Sequence, residues 1–276
     1  MIDPIVHCQY NLGVKAFEIP VEIYAGMRFC DYKPGFKGFK VFWVNEPYEI
    51  QPEPYHHARA YGDQYDFILT WDQGLLDDLP NARFFRNDIC WVSPHYVHND
   101  KIFGVSTVVG GKRMAEGHQV RHQLWKRRNE INTPKAFYES SAGGTNLGGN
   151  DGLVLGHLKD PLFDYQFHIV IENVRSLNMI SEKLNDAIRT KTIPIYWGCP
   201  NVEATYDPRG IIYCETVDDI INACNNIDTR MYDRMLPFVE ANYQNSLGSF
   251  PGPGPKLSET IGALINTMYK DGINIL

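Results

Sequence analysis

The stretch "FHIVIENVRSLNMISEKLNDAIRTKTIPIYWGCPN" runs from Phe167 to Asn201. It reads as strand, polar turn, helix, strand and a Trp-Gly-Cys-Pro stop. "FHIVI" (167–171) and "TIPIYW" (192–197) are apolar on both alternating faces, the pattern of parallel strands covered on two sides. "SEKLNDAIRT" (181–190) opens on Ser181, a good N-cap residue. The same rhythm extends outward. "FKVFWV" (39–44), "YDFILT" (65–70), "KIFGVSTVV" (101–109) and "GIIYC" (210–214) read as strands. "GHQVRHQLWKRRNEI" (117–131), "VDDIINACNNI" (217–227), "TRMYDRMLPFVEANYQ" (229–244) and "ETIGALINTMYK" (259–270) read as helices. Alternation of this kind predicts an α/β fold with mainly parallel sheets.

The chain has 276 residues, of which 43% are hydrophobic, enough for a sizeable core in one large domain or two small ones. Two stretches punctuate it. "ESSAGGTNLGGNDG" (139–152) is a Gly-, Ser- and Asn-rich loop. "GSFPGPGPKLSE" (248–259) is too dense in Pro and Gly for a helix or strand to continue through it. The expected division is 1–100, 101–250 and a 251–276 linker with a final helix. The net charge of −7 argues against nucleic acid as a partner. The basic cluster Lys126-Arg127-Arg128 sits at a predicted helix C-terminus, where the dipole favours cations. Cys8, Cys30, Cys90, Cys199, Cys214 and Cys224 form no CxxC pair and show no zinc spacing, so reduced thiols in a cytoplasmic protein are expected. No signal-peptide pattern opens the chain, and no apolar run approaches the ~20 residues of a spanning helix. Peripheral membrane contact stays open.

The chemistry concentrates at residues 172–183. Ser181 caps a helix whose first turn exposes free N–H groups, a natural phosphate site. Lys183 adds a cation suited to a diphosphate. The carboxylate of Glu182 can grip two vicinal hydroxyls, such as those of a ribose. Glu172 and Asn173 end a strand, where open α/β sheets bind ligands. The set describes a nucleotide-diphosphate site without a P-loop; a capped helix with surface Glu and Lys is the plainer alternative.

Ile171-Glu172-Asn173, Ser181-Glu182-Lys183, Asp186-Ala187 and Thr192-Ile193-Pro194-Ile195-Tyr196-Trp197-Gly198-Cys199-Pro200 closely resemble the donor-binding region of family 10 glycosyltransferases, the α1,3-fucosyltransferases, and above all their bacterial members. The resemblance covers roughly residues 165–225. It implies a GT-B arrangement, two Rossmann-like domains facing across a cleft, here with a reduced N-terminal domain. It also implies an inverting transfer of fucose from GDP-fucose to a glycan hydroxyl. By resemblance, Lys183 neutralises the diphosphate, and Glu182 and Asn173 contact the nucleotide. The helix N-terminus supplies donors to the leaving diphosphate without a metal. The general base maps to Glu46 in "FWVNEPYEIQPEP", with Glu49 second. The family's phosphate-gripping arginine has no counterpart in the 139–152 loop. Arg121, Lys112 and Arg113 are candidate substitutes. Met179 stands where relatives often carry a Tyr that contacts the nucleotide.

A competing class is a non-catalytic relative that binds a nucleotide sugar or glycan without turnover. "GGTNLGG" (143–149) is not a dinucleotide fingerprint and can be a loop over the donor or a surface linker. His95 and His98 are weak metal candidates, because Pro94 opposes a helix there. His118 and Arg121 share one face of a helix start.

Overall fold

The computed structural model describes residues 1–9, 13–86, 89–92, 96, 100–140, 147, 153–156, 158–246 and 254–270. The chain divides into two compact units, Met1–Asp88 with Pro251–Leu276, and Ile89–Phe250.

In the first unit, β1 (Ile5–His7), β2 (Val21–Ala25), β3 (Phe39–Val44), β4 (Phe67–Thr70) and β5 (Ala82–Phe84) form a parallel sheet in chain order. α1 (Pro52–Tyr61) joins β3 to β4, and α2 (Gln73–Asp78) joins β4 to β5. Tyr24, Phe42, Ile68 and Ala82 stand in register across four strands. They pack with Tyr55 and Ala58 of α1 and Leu75 of α2. The alternate residues Ile23, Val41, Trp43 and Leu69 are equally inaccessible. A sheet buried on both faces is what the unbroken apolar run of β3 implies.

In the second unit, β6 (Ile102–Val109), β7 (Lys135–Ser140), β8 (Leu153–Leu155), β9 (Tyr165–Ile171), β10 (Ile193–Trp197) and β11 (Ile212–Tyr213) form a parallel sheet ordered β11-β10-β9-β6-β7-β8. The chain winds outward from β6 to β8, returns to the other side of β6, and winds outward again. This is the doubly wound Rossmann order, with its switch point between β6 and β9, where the carboxyl ends of the strands open a crevice. α3 (Glu116–Arg127) follows β6 and α4 (Glu182–Arg189) follows β9, so both helices start beside the switch point. α5 (Val217–Asn226) and α6 (Thr229–Ser246) complete the unit.

α7 (Gly254–Lys270) buries Leu257, Ile261 and Ile265 at helical spacing and belongs to the first unit, where the Lys15 amide donates to Ser258 Oγ at 2.9 Å. It begins inside the Pro/Gly stretch, earlier than its pattern suggests. A proline in a helix's first turn costs no hydrogen bond, because its missing N–H would have no intrahelical partner.

The segment at 89–92 is tied to the second unit by polar groups of α4. Asp186 Oδ1 accepts from the Trp91 amide at 2.6 Å and the Val92 amide at 3.2 Å, and Asn185 Nδ2 donates to the Ile89 carbonyl at 3.2 Å. Asp186 is fully buried. Burial pushes its carboxyl up to about 6, against the pull of Lys159 and the two amides. A folded pKa above the unfolded one favours the fold at low pH, and that contribution is lost as pH rises through about 6. Asp186→Asn, neutral at every pH, should therefore gain stability relative to the parent between pH 4 and 7. The gain should be on the order of 2–3 kcal/mol, read from denaturant unfolding at both pH values. A difference that stays flat with pH would refute this reading of Asp186.

Candidate functional site

The carboxyl end of β9 is held by α3 and β10. Arg121 of α3 donates from Nε to the Ile171 carbonyl at 3.1 Å and from Nη2 to the same oxygen, and Nη2 also reaches Asn173 Oδ1 at 3.1 Å. Gly117, in the first turn of α3, donates its amide to the Asn173 carbonyl at 2.9 Å. A Cβ at position 117 would lie 1.7 Å from the Glu172 carbonyl oxygen, so only glycine permits this approach. On the other side the Glu172 amide donates to the Trp197 carbonyl at 2.9 Å, and a Cβ at Gly198 would meet Glu172 Cγ at 2.6 Å.

Glu172 is completely buried. Its Oε1 accepts from the Ser181 amide at 3.0 Å and its Oε2 from Ser181 Oγ at 2.5 Å. Burial raises its pKa, while Lys183 and the Ser181 bonds hold it down. The carboxyl thus fastens the two ends of the 172–181 turn. Ser181 caps α4 as its residue type predicts, with extended backbone and Oγ accepting from the Lys183 amide at 3.3 Å.

Lys183 Nζ lies 3.0 Å from Glu182 Oε1, 3.2 Å from Ser181 Oγ and 4.0 Å from Glu172 Oε2. Burial pulls its pKa down, but Glu182 and then Glu172 outweigh it and the result is raised. Glu182 moves the other way: burial pushes it up, and Lys183 and Lys159 together hold it well below the usual carboxylate range. Both are therefore ionised at neutral pH. Their side chains keep 24% and 15% of their surface exposed, so solvent reaches the turn and packing does not seal it. Burial lowers Arg121 to about 10, still a cation at neutral pH.

His118 Nδ1 accepts from the Ala115 amide at 3.1 Å, which leaves the proton on Nε2. Burial first, then Arg121, Lys112 and Lys183, lower it to about 4 and keep it neutral. Lys159, in the stretch before β9, belongs to no sequence motif. Its Nζ lies 3.6 Å from Glu182 Oε1, 3.4 Å from Asp186 Oδ2 and 4.4 Å above the centre of the Trp91 ring.

The structure therefore brings Glu172, Asn173, Ser181, Glu182, Lys183 and Arg121 together. Glu46 and Glu49 lie in the other unit. Glu46 is half-buried just past the carboxyl end of β3, and Glu49 is exposed. The turn at Glu46 is fastened through its backbone: Tyr55 Oη donates to the Glu46 carbonyl and Trp71 Nε1 to that of Asn45, each at 3.0 Å. Lys112 and Arg113 are exposed on the loop before α3, and Met179 is buried. Residues 143–146, 148 and 149 of "GGTNLGG", and His95 and His98, lie outside the described residues. Among the described residues no group of three or more His, Cys, Asp or Glu side chains gathers as a metal set. Arg127 pairs with Glu130 and Asp218 at the surface, and Arg128 stacks on Trp125, so the basic cluster has local partners.

The chain thus holds two α/β units with parallel sheets, the first in chain order and the second in Rossmann order with a charged site at its switch point, and its structural neighbours have the GT-B fold. Comparison with solved structures agrees. The chain matches an α1,3-fucosyltransferase solved with GDP at a TM-score of 0.53 and 16% identity, over 91% of this chain and 77% of that one. It matches a trehalose 6-phosphate synthase from Burkholderia multivorans at a TM-score of 0.54 and 9% identity, over 92% and 72%. It matches the T4 phage BGT D100A mutant in complex with UDP-glucose at a TM-score of 0.50 and 10% identity, over 91% and 83%. In sequence it is 29% identical over 125 residues to the Helicobacter pylori alpha-(1,3)-fucosyltransferase FucT, a match that covers 42% of this chain and 26% of that relative. No protein-family model matches the chain. Among the described residues no helix is long and apolar enough to cross a membrane.

Proposed function

We propose that the protein is an inverting glycosyltransferase that moves fucose from GDP-fucose to a hydroxyl of a glycan acceptor. The observation that carries this reading is the partly exposed Lys183 side chain at the N-terminus of α4, beside the switch point of the second unit. The family 10 resemblance and the similarity to the Helicobacter fucosyltransferase favour GDP-fucose among nucleotide sugars, and a likeness to a structure solved with GDP-fucose agrees with it.

In this reading the first-turn N–H groups of α4 and Lys183 take the diphosphate. Arg121 fixes Asn173 and the end of β9, and Glu172 positions Ser181. Glu182, held ionised by two lysines, accepts from the ribose hydroxyls. As the bond from the anomeric carbon to the diphosphate breaks, charge grows on the leaving oxygen, where the fixed donors stabilise it. The acceptor hydroxyl attacks from the opposite side while Glu46 takes its proton, so the configuration inverts. The same fold serves trehalose-6-phosphate synthase, whose transfer proceeds with retention; inversion therefore rests on the assignment of Glu46 as base. The free thiols of all six cysteines suit a reducing, cytoplasmic setting.

A thermal-shift screen against GDP-, UDP-, ADP- and CMP-sugars tests the donor. Ligand that binds only the native protein raises its melting temperature by mass action. GDP-fucose should give the largest rise. A larger rise with a uridine or cytidine sugar would overturn the donor assignment.

A further inference from the structure

Trp91 departs from the chain's other tryptophans. Trp43, Trp71, Trp125 and Trp197 are at most 3% exposed, whereas Trp91 is 58% exposed. The Trp91 ring is also held in place. Its amide and that of Val92 are fixed by Asp186, and Lys159 lies over its ring. The Lys159 ammonium also sits against Glu182, whose carboxylate touches Lys183 on its other flank. Contacts therefore lead from the Lys183 cation to the hydroxyl-gripping carboxylate of Glu182 and, through Lys159, to the aromatic ring of Trp91. A nucleoside diphosphate presents its parts in that order: diphosphate, ribose, base.

We infer that Trp91 is the stacking platform for the nucleobase of the donor, with Lys159 and Asp186 fixing the ring. The inference rests on the nucleotide-sugar reading of the Lys183 site. Stacking on an aromatic ring is strong for a purine and tolerant of its substituents. Trp91 thus contributes affinity for purine nucleotides, and selection of guanine over adenine falls to other groups. The ring contacts solvent, so its removal leaves the core intact.

Calorimetric titration of the Trp91→Ala variant with GDP and with inorganic pyrophosphate tests this. GDP affinity should fall about tenfold or more, while pyrophosphate affinity stays within twofold and the melting temperature is unchanged. Trp91→Phe, which keeps an aromatic face, should restore most of the loss. GDP, but not pyrophosphate, should quench the emission of the exposed tryptophan. If Trp91→Ala binds GDP as the parent does while Lys183→Ala does not, the platform is refuted and the site stands. If neither variant changes GDP affinity, both readings fall.

Discussion

Lys183→Ala should weaken GDP binding about a hundredfold. An ammonium that meets a phosphate makes a charge-assisted hydrogen bond worth roughly 1.5–3 kcal/mol when deleted, or about 10- to 150-fold. The upper half of that range applies because Lys183 is largely withdrawn from water and its surroundings are prearranged. Glu182 at 3.0 Å and Ser181 at 3.2 Å already hold Nζ beside the first turn of α4. The variant also loses the cation that faces Glu172. A fall in melting temperature is therefore expected, and binding must be measured below it. Lys183→Arg separates the effects. It restores the charge next to Glu182 but places a planar fork where a compact ammonium fits, so stability should recover more fully than affinity. Because Lys183 is raised and Glu182 lowered, both stay ionised across the neutral range. The parent's GDP affinity should then be nearly flat from about pH 7 to 8, above the titration of Asp186 at about 6 and of the terminal phosphate. Titration calorimetry at fixed ionic strength reads each of these, and an unaltered GDP affinity in Lys183→Ala would remove the lysine from the phosphate site.

Much of this arrangement is written in local sequence. β3, β9 and β10 are continuous apolar runs and come out where their patterns place them, with β3 at Phe39–Val44 as read. The start of α4 is equally legible, because a serine cap followed by an acidic residue carries its own signal. β2 escapes such reading. Its Glu22 interrupts the apolar pattern, yet it is buried, because His7 on the neighbouring strand accompanies it at 2.8 Å. α1 escapes because Pro52 and Pro54 look like breakers, although both lie in the helix's first turn.

What the chain order cannot show is which distant residues meet. Lys159 lies in a stretch with no motif, and only the return of the chain into β9 brings it to Glu182 and Asp186. Glu172 illustrates the converse. Its place at a strand end suggests a ligand contact, whereas the structure buries it between two glycines and turns both oxygens to Ser181. Gly117 and Gly198 therefore matter for what they omit. The division at 88/89, in place of one near residue 100, has the same kind of cause. The buried carboxylate of Asp186 captures the amides of 91 and 92 for the second unit.

Glu46→Gln should cut transfer by orders of magnitude while leaving the donor site intact. A positioned general base contributes about 10²–10⁴-fold, so turnover with acceptor should fall by that factor. GDP affinity should be unchanged, because the donor residues all belong to Ile89–Phe250 and Glu46 to Met1–Asp88. Glutamine keeps the shape of the side chain, and the bond from Tyr55 Oη goes to the backbone carbonyl of residue 46. The turn past β3 should therefore survive the change, with a melting temperature close to the parent's. If the loss reflects a missing base, a decline in turnover expected of the parent as pH is lowered should be absent from the residual activity of the variant. Glu49, exposed three residues on, supplies the comparison. Glu49→Gln should reduce turnover severalfold at most. Full transfer by Glu46→Gln, or an equal collapse in both variants, would show that the proton leaves by another route.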